Sequence, residues 1–377
     1  MKFKKMKKQV LISGASFAGL TLAYWLNKFG YQVTIVEIGK ELRKGGSPID
    51  VRGEALNVAK EIGILDKIKA KEFIHDTEIV NAENETLVNF SINDFDEYRG
   101  DIEINRFDLA EILYDVVPKN EVEFLFDNSI ETLTQNDDSV EVTFRNGEQR
   151  NFDFVFGADG THSIVRKLVF GDEENFSKFF GVYFAFAEAN QIETGRTKDT
   201  GMIYREVGKQ AVLYQFQNSV NALLMFLSPK LDWDYRNPEQ HKQILKETFG
   251  NDINWKVPEI LDTLLCSDNL FFDEVCQIHM SSWTKGRVAL VGDAGYAPSF
   301  FTGMGTTLAM LGAKNVVDAL ISSNGDYDVA FSKYNETFRP FVESIQAKLT
   351  RGLKAQLPET EEELQASIEF FKQRAKG

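Results

Sequence analysis

The chain has 377 residues, with 42 basic against 57 acidic side chains and a formal charge of −15. That balance excludes a nucleic-acid partner, which needs a basic surface to meet phosphates, and disfavours adhesion to anionic lipid. Two cysteines, Cys266 and Cys276, and four scattered histidines make no zinc pattern, so no metal is expected and the thiols read as buried and free in a reducing cytosol.

At roughly 100–200 residues per domain, the length fits one large α/β unit with an inserted or appended piece. The 31 phenylalanines point to a Phe-filled core or an apolar pocket, core filling being the commoner use. MKFKKMKK followed by an apolar run has the outline of a secretion signal. Gly14 and Gly19 at turn spacing, and no small-residue cleavage site, argue instead for strand, turn and helix. No other run is apolar enough to span a bilayer, so a cytoplasmic protein is expected.

Gln9 to Ser13 reads as a buried parallel strand. The turn Gly14-Ala15-Ser16-Phe17-Ala18-Gly19 follows, then a helix from about Leu20 to Phe29, Gly30 at its C-terminal cap, and a second strand, Val33 to Val36, ending in Glu37. This is a dinucleotide cradle, with the acid about 20 residues beyond the glycines. Gly14 permits the tight turn, Gly19 lets the helix approach the sheet, and Glu37 can accept from the adenosine ribose hydroxyls. Ser16 stands where the pattern has its second glycine, so its side chain must turn away from a pyrophosphate or donate to it. Phe17 and Ala18 complete the cofactor-binding loop.

Asn81 to Glu85 and Asn93 to Arg99 are polar hairpin or loop pieces. Asp153 to Ala158 is an apolar strand leading into Asp159-Gly160 and a helix start. From about Ser177 to Met280 the pattern changes: Phe179–Glu188 and Met202–Leu227 alternate apolar and polar residues, as antiparallel strands do. Gly286 to Val291 is another buried strand. It ends in Gly292-Asp293-Ala294-Gly295, followed by a loop with Pro298 and by Gly303-Met304-Gly305 opening a helix, Thr306 to Leu320. A helix from about Tyr327 to Leu349 should break or bend near Pro340. Thr360 and Glu363 form a capping box, and Leu364, Ile368 and Phe371 give one apolar stripe that either closes over a pocket or, the favoured reading, docks on the body.

The Gly-rich cradle, Asp159-Gly160 and Gly292-Asp293, in this order, make the chain resemble the class A flavoprotein monooxygenases, the family around p-hydroxybenzoate hydroxylase, from about Gln9 to Gln346. The resemblance implies an α/β fold in which a Rossmann-like, glutathione-reductase-like FAD-binding domain with a parallel sheet is built from 1–75, 100–176 and 281–325. An antiparallel β-sheet substrate domain, 76–99 and 177–280, is interleaved with it, and C-terminal helices occupy 326–377. FAD is the implied cofactor, with Asp293 on the ribityl hydroxyls and Asp159-Gly160 beside the pyrophosphate. Arg106, opening a helix in INRFDLAEIL, would lie on the phosphate or ribityl side. N–H groups at Gly303 and Gly305 would face the flavin pyrimidine edge and stabilise negative charge there. The family usually reads GDAAH and GQGxN where this chain has Gly295, Tyr296, Met304 and Thr307, which leaves flavin geometry and catalytic competence open.

Four segments are similar to one subgroup, the tetracycline destructases: Arg43-Lys44-Gly45-Gly46, Asp50-Val51-Arg52-Gly53, Ser282 to Arg287, and Tyr296-Ala297-Pro298-Ser299. That similarity places Arg52 near the isoalloxazine and Arg43 at the adenosine side, although arginines there also serve as surface loop caps. The inserted sheet would roof the flavin, with Tyr204, Gln215, Phe216, Met225, Phe226 and Pro298 lining a substrate pocket. Each such residue is more often ordinary sheet packing, so the region carries the reading more than any one name. As the resemblance implies, NAD(P)H visits transiently to reduce FAD, O₂ adds at C4a, and the hydroperoxide passes one oxygen to a polycyclic or phenolic small molecule, tetracyclines among them. No catalytic acid or base is identifiable, and a monomer is expected. The alternatives are a same-fold reductase or oxidase, a halogenase (Trp25, Trp233, Trp255 and Trp283 do not make its Trp-x-Trp-x-x-Pro run), or a non-catalytic flavin- or antibiotic-binding protein.

Overall fold

The computed structural model describes residues 7–43, 48–91, 100–216, 219–349, 353 and 356–375. The N-terminal third runs β1 (Gln9–Ser13), α1 (Phe17–Lys28), β2 (Gln32–Val36), β3 (Pro48–Val51), α2 (Glu54–Ile62), α3 (Leu65–Lys69), β4 (Asp76–Val80), β5 (Thr86–Ser91), β6 (Ile102–Asn105), α4 (Arg106–Val116) and β7 (Val122–Leu125). Next come β8 (Ile130–Gln135), β9 (Val140–Phe144), β10 (Gln149–Phe152), β11 (Phe154–Gly157), α5 (Ile164–Val169), β12 (Ser177–Glu188), β13 (Thr200–Glu206), β14 (Lys209–Phe216) and β15 (Ser219–Leu227). The last third holds α6 (Pro238–Phe249), α7 (Val257–Cys266), β16 (Phe271–Ile278), β17 (Thr284–Lys285), β18 (Val288–Leu290), α8 (Asp293–Tyr296), α9 (Gly305–Ser322), α10 (Tyr327–Gln346) and α11 (Glu361–Arg374).

β17-β18-β11-β1-β2-β7 form a six-stranded sheet, parallel except at the β17–β18 pair. Its central strands are buried residue after residue, the pattern of a parallel sheet covered on both faces. α9 packs against α1, α2 and α10, and it is buried along most of its length.

A seven-stranded sheet, β16-β12-β15-β14-β13-β4-β5, is antiparallel except for the β13–β4 pair. It draws its strands from 76–91 and 177–278. Alternation gives it two apolar faces. Tyr183, Tyr204, Leu224 and Phe226 lie on one, packed with Leu245, Phe249, Ile260 and Leu264 of α6 and α7. Val182, Phe184, Ile203, Val212, Leu223 and Met225 lie on the other, with Phe301 and Leu357. The mixed α/β architecture is the one the sequence predicted.

Three local expectations change or sharpen. α10 does not end at Pro340; Phe338, Val342 and Ile345 are buried on either side of it, and that packing offsets the one backbone hydrogen bond a proline removes. Cys276 is buried but Cys266 is exposed, and both are free. α11 docks on the seven-stranded sheet. Thr360 Oγ1 caps it by accepting from Glu363 N at 3.2 Å. Ser367 Oγ accepts from Arg205 Nη1 at 2.9 Å, and Phe371 stacks on Phe90 with ring centroids 5.3 Å apart. Asn81 to Glu85 forms the β4–β5 turn, closed by the Asn81 side chain. Lys44 to Gly46 and Asn93 to Arg99 lie outside the described residues. Among the described residues, no helix is long and apolar enough to cross a membrane.

Candidate functional site

The ends of β1, β2, β11 and β18 converge at one cleft. At the first crossing the chain has no room for side chains: a Cβ on Gly14 would lie 2.3 Å from the Ala158 carbonyl oxygen, and one on Gly19 would lie 1.9 Å from that of Gly14. Glycine is obligatory at both, and Gly14 also sits at φ +102°. α1 therefore begins directly above the sheet end. Its cap residue, Ser16, makes no side-chain cap bond. The Ser16 hydroxyl accepts instead from Arg106 Nη2 at 3.1 Å, and the Arg106 guanidinium lies 5.2 Å from the Phe17 ring centroid. Uncapped N–H groups at a helix start are a ready site for phosphate. Glu37 stands at the end of β2, accepting from Ala15 N and Gly39 N, each at 2.8 Å.

Asp293 begins α8 at the other end of the cleft. Burial, with the charge of Asp273 added and that of Arg106 opposing, pushes its carboxyl up to about 6. Arg106 is drawn down to about 10 by burial and by Arg43, against the pull of Asp293 and Glu37. One guanidinium thus stands in the fields of both cleft carboxylates. Arg52 pairs with Asp50 at 2.7 Å and Asp101 at 3.5 Å. Its guanidinium packs against Gly303, where a Cβ would lie 3.0 Å from Cζ. Around Gly305, at the start of α9, there is open space. These groups fit FAD: a tight glycine crossing with open N–H groups for the pyrophosphate, carboxylates at either end for ribose and ribityl hydroxyls, and a helix start for the flavin edge.

The matching family model is that of an FAD binding domain, over residues 7–345. An uncharacterized protein of Mycobacterium tuberculosis (strain ATCC 25618 / H37Rv) is 38% identical over 96% of this chain and 98% of its own length. A flavin-dependent monooxygenase of Legionella longbeachae is 36% identical over 90% of this chain and 87% of its own. The chain belongs to this FAD-binding family. It is an FAD-dependent monooxygenase. Among solved structures, tetracycline destructase Tet(51) matches with a TM-score of 0.86 at 32% identity, covering 98% of this chain and 97% of that one.

Not every expected site residue of the monooxygenase faces the cofactor cleft. The Asp159 carboxylate accepts from Ser163 Oγ at 2.5 Å, Val165 N at 3.1 Å and Ser13 Oγ at 3.3 Å, so it caps α5 and ties that start to β1. Arg43 lies with its guanidinium 4.6 Å from the Phe271 ring centroid, within the field of Asp273. That sets it against β16 of the roof sheet, where the aromatic face and the carboxylate both attract it. Of the expected pocket residues, Met225 lies on the face with Phe184 and Phe301. Tyr204 and Phe226 are on the opposite face, against α6 and α7, because strand alternation turns them there. Gln215 ties the sheet end to the backbone, donating to the Arg196 and Lys198 carbonyls at 3.0 and 3.2 Å. Phe216 packs 4.7 Å from Phe73 and 5.0 Å from His75. The Pro298 carbonyl accepts from Gln277 Nε2 at 3.0 Å.

The departures around Asp293 have local causes. Tyr296 points into the core, where Tyr334 Oη donates to Tyr296 Oη at 2.8 Å. Gly312 makes room for it, since a Cβ there would lie 1.8 Å from the Tyr296 hydroxyl. Thr307 Oγ1 accepts from Arg52 N at 3.1 Å, so it holds the Arg52 segment to α9. Sequence reasoning missed Arg166, which is 1% exposed and donates to the Ala294 carbonyl at 3.0 Å while pairing with Glu173 at 2.7 Å. It ties the Asp159 loop to the Asp293 loop, and its place at the end of the Asp159–Arg166 run was the available signal. His162 sits between Glu173 at 3.0 Å and Asp273 at 3.4 Å, stacked on Tyr235. Burial works against its imidazolium, but hydrogen bonds to the two carboxylates prevail and push it up to about 10.

Proposed function

We propose that the chain uses NAD(P)H and O₂ to insert one oxygen atom into a polycyclic or phenolic small molecule, with tetracyclines the first candidates. The balance is substrate, NAD(P)H, O₂ and a proton giving hydroxylated substrate, NAD(P)⁺ and water. The observation that carries the reading is the destructase likeness over 98% of the chain, joined to an apolar sheet face opposite the cofactor loops. Bound FAD supplies the redox chemistry, hydride acceptance and O₂ activation.

The chain's own residues do the rest in this reading. Glu37 holds the adenosine ribose and Asp293 the ribityl hydroxyls. Arg106 offsets phosphate charge. The α9 start beside Gly303 and Gly305 favours negative charge on the flavin pyrimidine edge. Phe184, Val212, Leu223 and Met225 orient an apolar ring system and exclude water from it. A tetracycline panel and a phenol panel, each incubated with FAD-loaded protein and NADPH and then weighed by mass spectrometry, test it. A mass gain of one oxygen on a tetracycline supports the full reading. A gain on phenols alone removes tetracyclines, and NADPH consumption with no oxygenated product favours the reductase or oxidase alternative.

A further inference from the structure

The loop joining Asp293 to the flavin edge at Gly303 contains a strained turn. Ser299, not a glycine, sits at φ +83° and is 7% exposed. L-residues are disfavoured there unless their surroundings over-determine the backbone. That constraint has to come from the groups around the loop.

Two buried glutamines supply it. Gln277 is 2% exposed and Gln346 is 7% exposed. Gln277 Nε2 donates to the carbonyls of Pro298 at 3.0 Å and Gln346 at 2.9 Å. Gln346 Nε2 donates to those of Ile278 at 2.9 Å and Ala297 at 3.1 Å. The Pro298 and Gln346 carbonyls can only accept, which sets the Gln277 amide with its nitrogen toward the loop, and Gln277 Oε1 lies 2.9 Å from His279 Nε2. All four amide protons are thus used, and two successive loop carbonyls are held just before Ser299. Gln277 belongs to β16, at the edge of the roof sheet, and Gln346 ends α10. The pair therefore joins the substrate sheet, the C-terminal helices and the cofactor loop.

We propose that Gln277 and Gln346 are positioning residues for the flavin, fixing the 297–303 loop so that Asp293 and the Gly303–Gly305 edge meet the same cofactor. The proposal rests on FAD occupying the cleft as described above. Its test compares wild type with Gln277→Glu, which keeps the shape and the His279 contact but replaces the donor, and with Gln346→Met, which keeps volume and removes both donated bonds. Dissociation constants for FAD, visible flavin spectra and sulfite affinity at flavin N5 are measured on protein shown folded by circular dichroism. Both variants should weaken FAD by about tenfold or more and shift the flavin spectrum and sulfite affinity. Folded variants with wild-type values on all three measures would overturn the positioning role and leave the FAD site intact. Wild-type protein that takes up no FAD would overturn both.

Discussion

At the C-terminal ends of the six-stranded sheet, the groups facing the cleft are backbone N–H groups and a few carboxylates, aimed by turns in which only glycine fits. On the seven-stranded sheet they are apolar side chains whose direction follows from register alone. Moving Gly14 or Gly19 breaks a backbone crossing, whereas exchanging Met225 with its neighbour Phe226 merely exchanges one face for the other. The first region can therefore hold one cofactor with little freedom in sequence, and the second can change its substrate without disturbing the fold.

The comparison is most severely strained at the glycine crossing. Gly14→Val should leave a folded or partly folded protein with no FAD, read as loss of flavin absorbance after gel filtration, because the new Cβ meets the Ala158 carbonyl at 2.3 Å. Retained flavin would mean that the crossing is not what holds the pyrophosphate. On the roof, Phe226→Ala should cost about 3–5 kcal/mol of stability and Met225→Ala about 2–5 kcal/mol, as buried truncations do. Only Met225→Ala should also change KM for whichever substrate is oxygenated. Equal KM changes in both would show that the two faces are not functionally distinct.

Asp293 links the site to stability. Its folded value near 6 lies above the unfolded value of about 3.9, so between them the native state of the FAD-free protein holds the proton more tightly. Stability falls as pH rises through that window and stays lowered above it. Asp293→Asn should therefore stabilise the FAD-free protein at pH 8 by about 1 kcal/mol once cleft solvent is allowed for, read as a higher melting temperature, and leave it nearly unchanged at pH 4. The same variant should weaken FAD by about tenfold, the cost of one charge-assisted hydrogen bond. A smaller effect is expected behind the loop: Tyr334→Phe removes a hydroxyl that lies 2.8 Å from the Tyr296 hydroxyl and 3.1 Å from the Leu290 carbonyl oxygen. It should lower stability by about 1 kcal/mol in denaturant titrations with FAD affinity unchanged.

The cofactor region was legible because its signals are local. Gly14, Gly19 and Glu37 lie within one β-α-β unit, and Gly292-Asp293 follows directly on a buried strand. The antiparallel sheet was legible as a sheet from its alternation, but the face each residue takes was not. Tyr204 and Phe226 are as aromatic as any pocket residue, and only the placement of α6 and α7, fixed by distant residues such as Phe249 and Leu264, decides that they turn away. Gln277 and Gln346 lie 69 positions apart, and nothing local to either marks it as a partner of the other. Tyr296 looked like a damaged cofactor residue until Gly312 and Tyr334 supplied its place in the core.

The central claim is that separate loops hold one dinucleotide, with Glu37 at its adenosine end and Asp293 at its ribityl end. Titrating FAD-free protein with FAD and with FMN, in wild type and Glu37→Ala, tests it most directly. One FAD per chain, much weaker FMN, and loss of that preference in Glu37→Ala are the expected results. Equal affinity for FMN and FAD in wild type, or an unchanged preference in the variant, would contradict it.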